Sequence, residues 1–521
     1  MNPSAPILLA TLNAKYPHAS LGLRYLLANM GELRGQTLLQ EFSIAQKPSV
    51  VVEQLLAHDP AIVGLGVYIW NVSETTQVVR LLKAVRPDVK LVLGGPEVSH
   101  EVQEQEICRL ADHVITGWGD LSFARLCRAL LQGPPPLMKV IAGEQPPLAQ
   151  IRLPYDEYTD VDLAQRLLYV EASRGCPFKC EFCLSSLDKT AWAFELDAFL
   201  LAMQKMLQRG ARQFKFVDRT FNLKVESSAR ILEFFLSRWV PGLFLHFEMA
   251  PDALPDRLKD LILQFPPGVL QFEVGIQSFD PQVQQRISRK QDHGRTVANL
   301  RWLVQESPVH VHADLIFGLP GETLEGFGRG FDQLCALGPH EIQVGILKRL
   351  RGTPITRHSE AFAMVYDPSP PYALLQSVQH DFAVVQRMQR FARYWDLLGN
   401  SGRFRTSLPL LTGRESAFFA FLGLSDWLWQ HTGKTHEFSS EQLLDSLFVY
   451  LTEEAGVDLE LARARLGADY LASGARGKPR SLTRPTLRHD SKPGATRSPK
   501  QALRARRARH EDRPMPEKTG S

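Results

Sequence analysis

Cysteine is scarce in this chain, with six residues in 521. That is too few for a disulfide framework, and the N-terminus lacks the basic start and apolar run of a secretory signal. A reducing, cytoplasmic setting is expected. No apolar stretch approaches the ~20 residues that span a bilayer, so no membrane partner is expected. Two phosphate-binding loops are missing: no G-x-G-x-x-G follows the first strand candidate, and no G-x-x-x-x-G-K-[ST] is present. No second C-x-x-C pair follows the first, which weighs against a four-ligand zinc site. No basic surface interleaved with aromatics marks a nucleic-acid platform. A nucleic-acid-binding protein with a structural metal site is therefore the least favoured reading.

What is present suits a folded protein of about three domains: 44% hydrophobic and 22% charged residues. The net charge of +4 is unevenly spread, +10 from Arg476 onward and −6 before it. From about Ser473 the chain is rich in Lys, Arg, Pro, Ser and Gly, and residues 473–521 are expected to form a disordered basic tail. Arg504 to Arg509 could touch nucleic acid electrostatically, but such a tail is more often only solvated.

Three cysteines fall in one run, Arg174-Gly175-Cys176-Pro177-Phe178-Lys179-Cys180-Glu181-Phe182-Cys183, spaced C-x-x-x-C-x-x-C. Cys108, Cys127 and Cys335 sit in apolar or helical contexts and read as core. Leu167 to Ala172 reads as a buried strand, and Gly175 and Pro177 break it. The thiols therefore belong to a loop leaving a strand end. Four cysteines are the full set for a cubane iron–sulfur cluster, so three leave one iron open for chemistry.

Residues 1–140 alternate strand and helix. Strand candidates are Ile7–Leu12, Ala61–Val67, Lys90–Leu93 and His113–Thr116, with helices after the first and near 50–58 and 73–86. This pattern predicts a doubly wound parallel sheet, whose ligands bind outside the carboxyl ends of the strands. Gly94, Gly95, Gly117 and Gly119 lie there and admit a large ligand close to the backbone. Tyr68 and Trp70, at another strand end, face that ligand or pack a domain interface. Spacing alone leaves a nucleotide, flavin or cobalamin site open, and also a purely structural layer.

Gly133-Pro134-Pro135-Pro136 and Pro146-Pro147 mark a boundary, with an ordered linker over 141–165. Residues 166–360 carry six strand candidates: near Leu168, then Gln213–Val217, Leu243–Glu248, Val269–Gly275, Val309–Phe317 and Glu341–Leu347. Polar residues gather at their C-terminal ends, where parallel barrels place chemistry: Asp218, Asn222, Glu248, Glu273, Gln277 and Asp314. Over 365–472, apolar residues at helical spacing predict helices at Tyr372–Leu398, Ser416–Thr432 and Glu441–Glu454.

The cysteine run resembles the signature of the radical S-adenosylmethionine (SAM) superfamily. The resemblance implies a 4Fe–4S cluster on Cys176, Cys180 and Cys183, SAM on its open iron, and Phe182 against the adenine. Phe247-Glu248-Met249-Ala250-Pro251 is similar to a segment of oxygen-independent coproporphyrinogen oxidases whose glutamate binds the SAM amino group. Gly275-Ile276-Gln277-Ser278-Phe279 is similar to one whose glutamine reaches the ribose. The following stretch through Arg289 matches a helix whose arginine pairs with the SAM carboxylate, and Asp314 to Thr323 a motif whose aspartate contacts the ribose. Leu350-Arg351-Gly352-Thr353-Pro354 resembles the exit from the sixth strand.

The order of sheet domain, linker and cysteine loop resembles the cobalamin-binding radical SAM class. This implies cobalamin at Gly94, Gly95, Gly117, Gly119 and Tyr68. The D-x-H-x-x-G motif that supplies a histidine to cobalt is missing, as in many of that class. The C-terminal region resembles a domain of unknown function in one subgroup. The expected fold is α/β: an N-terminal Rossmann-like parallel sheet of cobalamin-binding type, a partial TIM-like (β/α)6 barrel, then a mainly helical domain. The expected function is a cobalamin-dependent radical SAM enzyme on a small-molecule substrate, with methyl transfer as one outcome and a donor such as flavodoxin or ferredoxin. The alternative is a radical SAM enzyme without cobalamin, whose first domain binds substrate or partner. A methylthiotransferase needs three further cysteines before the motif, and only Cys108 and Cys127 precede it.

Overall fold

Every residue of β1 (Ile7–Asn13) is buried in this computed structural model, which describes residues 5–188 and 190–483. Successive side chains go to opposite faces. Leu8, Ala10 and Leu12 pack with Val51, Leu55, Val78 and Leu82, whereas Ile7 and Leu9 pack with Leu23, Leu27 and Phe123. Helices thus cover both faces, and a strand so covered reads as a continuous apolar run. With β2 (Thr37–Ser43), β3 (Ile62–Gly66), β4 (Lys90–Gly94), β5 (His113–Thr116) and β6 (Val140–Ala142), β1 forms a parallel sheet ordered β2–β1–β3–β4–β5–β6. The order reverses between β1 and β3, and the strand ends there open a crevice. Two strands were not expected. β2 is an edge strand of mixed polarity, and β6 is a three-residue edge at the start of the proposed linker.

The connector crosses the second half of the chain, with Tyr155 and Tyr158 fully buried. Their hydroxyls donate to the carbonyls of Glu171 at 3.0 Å and Tyr169 at 2.7 Å. β7 (Leu168–Val170) follows, then a short antiparallel pair, β8 (Ser173–Arg174) and β9 (Trp192–Ala193), which brackets the cysteine loop. β10 (Gln213–Phe216), β11 (Phe244–Met249), β12 (Leu270–Gln277), β13 (His310–Phe317) and β14 (Glu341–Ile346) join β7 in a second parallel sheet. Its order, β14–β13–β12–β11–β10–β7, follows the chain, and β7 does not pair with β14. This is an unclosed barrel of six βα units.

Here the strands alternate. On β13, Val311, Ala313, Leu315 and Phe317 are buried under helices, while His312 and Asp314 face inward. On β12, Glu273, Gly275 and Gln277 face inward in the same way. Register sets Glu248 beside Glu273 and Gly275 beside Asp314, so the barrel interior is a polar surface assembled from neighbouring strands.

The C-terminal helices share one hydrophobic core with the barrel. Phe331, on helix Leu324–Leu337, meets the rings of Phe391, Trp395 and Phe418 at 5.2, 4.8 and 5.9 Å. Asn400 exchanges hydrogen bonds with the backbone of Ile342 (2.8 and 2.9 Å) and so covers the free edge of β14. The helix expected from Tyr372 starts only at Phe382, where Asp381 caps it. Before it lies β16 (Leu374–Gln376), which pairs with β15 (Val365–Tyr366). Tyr372 itself is left-handed (φ 57°) after two prolines, which a helix start cannot accommodate. Ordered structure also passes the boundary expected at 473: Asp445 accepts from Ser481 N and Oγ at 2.9 and 2.5 Å, and Ser481 is buried. The basic stretch 504–509 lies outside the described residues. Among the described residues no helix is long and apolar enough to cross a membrane.

Two ionic networks lock the sheets together. Arg24 reaches Glu41 and Asp162, both at 2.9 Å, with every side chain nearly buried. Arg351 pairs with Glu97 at 2.9 Å and Glu101 at 2.8 Å, and Arg349 with Glu101 at 2.9 Å. Glu97 and Glu101 follow Gly94-Gly95, so the barrel's exit loop is fastened to the mouth of the first sheet.

Candidate active site

The cysteine loop leaves the second sheet beyond β7. Gly175 is left-handed (φ 84°), and a Cβ there would strike the Thr190 carbonyl, so only glycine turns the chain into the loop. Cys176, Cys180 and Cys183 carry free thiols and line one pocket of about 170 Å³. Phe182, Glu248, Gln277, Arg289 and Asp314 line it too, so all eight residues picked for the cluster and SAM converge. Among the described residues, no three His, Cys, Asp or Glu side chains meet as closely as a single metal ion requires. Three thiols lining one pocket fit a cluster, whose cysteines ligate separate irons. Glu181, within the motif, faces away: it is buried and accepts from Ser288 Oγ at 2.5 Å, with His358 Nε2 at 2.8 Å. It anchors the loop.

Burial raises the Cys176 and Cys180 thiols above their usual range, and Arg289 opposes this at Cys180. Arg289 Nη1 lies 3.5 Å from Cys180 Sγ, Nη2 donates to the Gly275 carbonyl, and Nε lies 3.3 Å from Gln291 Oε1. Gln277 ends a strand irregularity in the left-handed region (φ 70°), rare for a residue with a Cβ and a mark of functional strain. Its Nε2 would lie 2.5 Å from a Cβ on Gly275.

Their surroundings push the carboxylates in opposite directions. Burial would raise Glu273, but His246 Nε2 at 2.9 Å and Lys215 Nζ at 3.2 Å hold it well below the usual range. Burial lowers His246 to about 4 despite that bond. Burial raises Glu248, with Arg219 acting against it. Asp314 is pushed far up, by burial first and then by Glu273 and Glu248. Its Oδ1 is buried and lies 3.4 Å from His312 Nε2 on the same strand. Asp218 and Asn222, expected among the chemical groups, do not line the pocket. Asp218 accepts from Ala172 N at 3.0 Å and Ser173 Oγ at 2.6 Å, and Asn222 exchanges bonds with Ala250 at 2.8 and 2.9 Å. They splint loops.

A second cavity, about 480 Å³, opens at the carboxyl ends of β3, β4 and β5. Gly94, Gly95, Gly117, Gly119 and Tyr68 line it, as do Gly64 and Gly66. The glycines let a broad ligand approach the strand ends, and apolar side chains such as Leu26, Trp118 and Phe123 form the remaining wall. The described residues lining it include no histidine. Tyr68 stacks on Trp70 at 4.4 Å, and Trp70 is half exposed outside the cavity.

The two cavities share Arg219. They are also clamped by Arg174, two residues before the first thiol. Its guanidinium holds Asp120 at 2.9 and 3.0 Å and Glu171 at 2.7 Å, and lies over the rings of Tyr25 (4.3 Å) and Trp118 (4.9 Å). Sequence reasoning missed Arg174, Arg219, Lys215 and His246; for the first two, nearness to the loop and to a strand end was the available signal.

Family models match in chain order: the B12 binding domain at residues 7–127, the radical SAM superfamily at 170–333, and a protein of unknown function, DUF4080, at 360–512. An uncharacterized methyltransferase of Pyrococcus horikoshii is 24% identical over 58% of this chain and 70% of its own length. The cobalamin-dependent radical SAM methyltransferase TokK of Streptomyces tokunonensis is 24% identical over 56% of this chain, which spans 47% of TokK. The structure of TsrM, a radical SAM methyltransferase from Kitasatospora setae with cobalamin and a [4Fe-4S] cluster bound, superimposes with a TM-score of 0.54. It is 17% identical and covers 70% of this chain and 76% of its own. The chain thus carries, in order, a region matching the B12 binding domain, one matching the radical SAM superfamily and one matching DUF4080.

Proposed function

We propose that the protein is a cobalamin-dependent radical SAM enzyme that transfers a methyl group to an unreactive carbon of a small molecule. The observation that carries this reading is the pair of cavities with a common wall, one ringed by three thiols and the other by glycines at strand ends. Cys176, Cys180 and Cys183 hold the cluster. Phe182 lies against the adenine, Glu248 takes the SAM ammonium, and Gln277 with Asp314 holds the ribose. Gly94, Gly95, Gly117, Gly119 and Tyr68 would border cobalamin, in a cavity whose described lining includes no histidine. When bound, the reduced cluster supplies the electron that splits SAM to methionine and a 5′-deoxyadenosyl radical, and methylcobalamin supplies the methyl group. The protein holds these groups in line and keeps water out. An electron donor such as flavodoxin or ferredoxin in a reducing cytoplasm completes the reading. Anaerobically reconstituted protein is expected to absorb as both cobalamin and iron–sulfur cluster, with about four irons per chain. A full cluster spectrum without cobalamin bands, in protein offered cobalamin, would overturn the cobalamin part.

Arg289 is assigned to the SAM carboxylate, yet it also steadies Cys180. Arg289→Ala is therefore expected to raise the SAM Kd by about tenfold or more, the worth of a charge-assisted bond, and to lower iron content as well. Equilibrium dialysis and an iron assay read the two effects. Unchanged SAM affinity at full iron content would remove Arg289 from the site.

A further inference from the structure

Arg219 has a fixed base and a free end. Its backbone lies between two splinted residues, Asp218 bonded to Ala172 and Ser173 and Asn222 bonded to Ala250. Its side chain is 51% exposed and approaches Glu248, Nη1 to Oε2 at 3.7 Å. Among the described residues that guanidinium makes no other ion pair or hydrogen bond. The distance exceeds hydrogen-bond range, so this is a loose charge contact. Yet the residue borders both cavities. The other charges in the larger cavity are committed: Arg174 to Asp120 and Glu171, and Asp188 to Thr190 at 3.2 Å.

The hold of Glu248 on Arg219 is loose, and a second cation drawn onto its carboxylate weakens it further. An ammonium at its carboxylate offsets the charge that attracts Arg219 and repels the guanidinium. The side chain is then released toward the larger cavity. The geometry points to Arg219 as the substrate-positioning residue, gripping an oxyanion group of the substrate, a carboxylate or a phosphate, at the shared wall once SAM has taken Glu248. A guanidinium fork matches either group bidentately. This inference rests on the SAM role given to Glu248 above. It makes SAM and the anion mutually reinforcing ligands, each tightening the other by the same factor.

The test measures SAM binding to cluster- and cobalamin-loaded protein by equilibrium dialysis, at fixed ionic strength, in chloride, acetate or inorganic phosphate. In the unmutated protein the SAM Kd is expected to fall about fivefold or more in acetate or in phosphate, within the ordinary range of coupling. Acetate responding identifies a carboxylate substrate, and phosphate responding a phosphorylated one. Arg219→Gln is expected to abolish the anion effect and to bind SAM in chloride no more weakly than the unmutated protein, since Glu248 has lost a competitor. Equal SAM affinity in all three anions would overturn the inference. So would an Arg219→Gln protein that binds SAM tenfold more weakly in chloride, which would make Arg219 a SAM ligand. Absence of SAM binding to the unmutated protein in chloride would overturn the enzyme reading, and this inference with it.

Discussion

Cys180→Ala protein is expected to come out of anaerobic reconstitution nearly free of iron and unable to cleave SAM. Two remaining thiols cannot hold a cubane cluster that already lacks a fourth protein ligand. Iron is expected to fall from about four per chain to background, and 5′-deoxyadenosine to fall below detection. Folding is expected to survive. Cys180 is 8% exposed, and the substitution removes one sulfur atom next to a pocket, a change of about 1 kcal/mol. Cobalamin content is expected to persist, because no wall of the larger cavity changes. Iron assay, product chromatography and a melting curve distinguish site loss from unfolding. SAM cleavage by an iron-replete Cys180→Ala protein would sink the cluster assignment.

Gly94→Leu makes the opposite demand. A Cβ at Gly94 meets nothing closer than the Ile115 carbonyl at 3.8 Å, so the strand end accepts a side chain. The added leucyl group must enter the 480 Å³ cavity. Cobalamin affinity is expected to fall ten- to a hundredfold, matching about 1–3 kcal/mol of overpacking. Iron content is expected to stay full. Gly95 gives no such test: its φ of 114° and the Val67 backbone behind it forbid any side chain, so a substitution there damages the fold first. Undiminished cobalamin binding by Gly94→Leu would take that glycine out of the site.

Both sheets were legible because burial on two faces writes strands as apolar runs and burial on one writes them as alternation. β1 is the first kind and β13 the second. β2 was not legible, since an edge strand with only its ends buried shows neither pattern. In the site, Cys176, Cys180, Cys183 and the strand-end residues Glu248, Gln277 and Asp314 were visible from spacing and resemblance. Asp218 and Asn222 looked the same in one dimension and proved to be splints. Whether a strand-end polar side chain turns inward or back onto a neighbouring loop depends on contacts far away in the chain. Arg174 was hidden for the same reason: its partner Asp120 is 54 residues away.

The Arg174 clamp makes the chain divisible in reading but not in substance. Cut within the connector, one fragment would carry Asp120 without its cation and the other Arg174 and Glu171 without their counterpart. A broken buried pair of this kind costs about 3–5 kcal/mol, a large part of an ordinary domain's margin. Injury therefore crosses between the halves: oxidation of Trp118, which belongs to the first half, loosens the arginine that introduces the first cluster thiol. Recombination faces the same constraint. An N-terminal half grafted from a relative has to bring its own equivalents of Tyr25, Trp118 and Asp120, or the recipient's metal loop loses its footing.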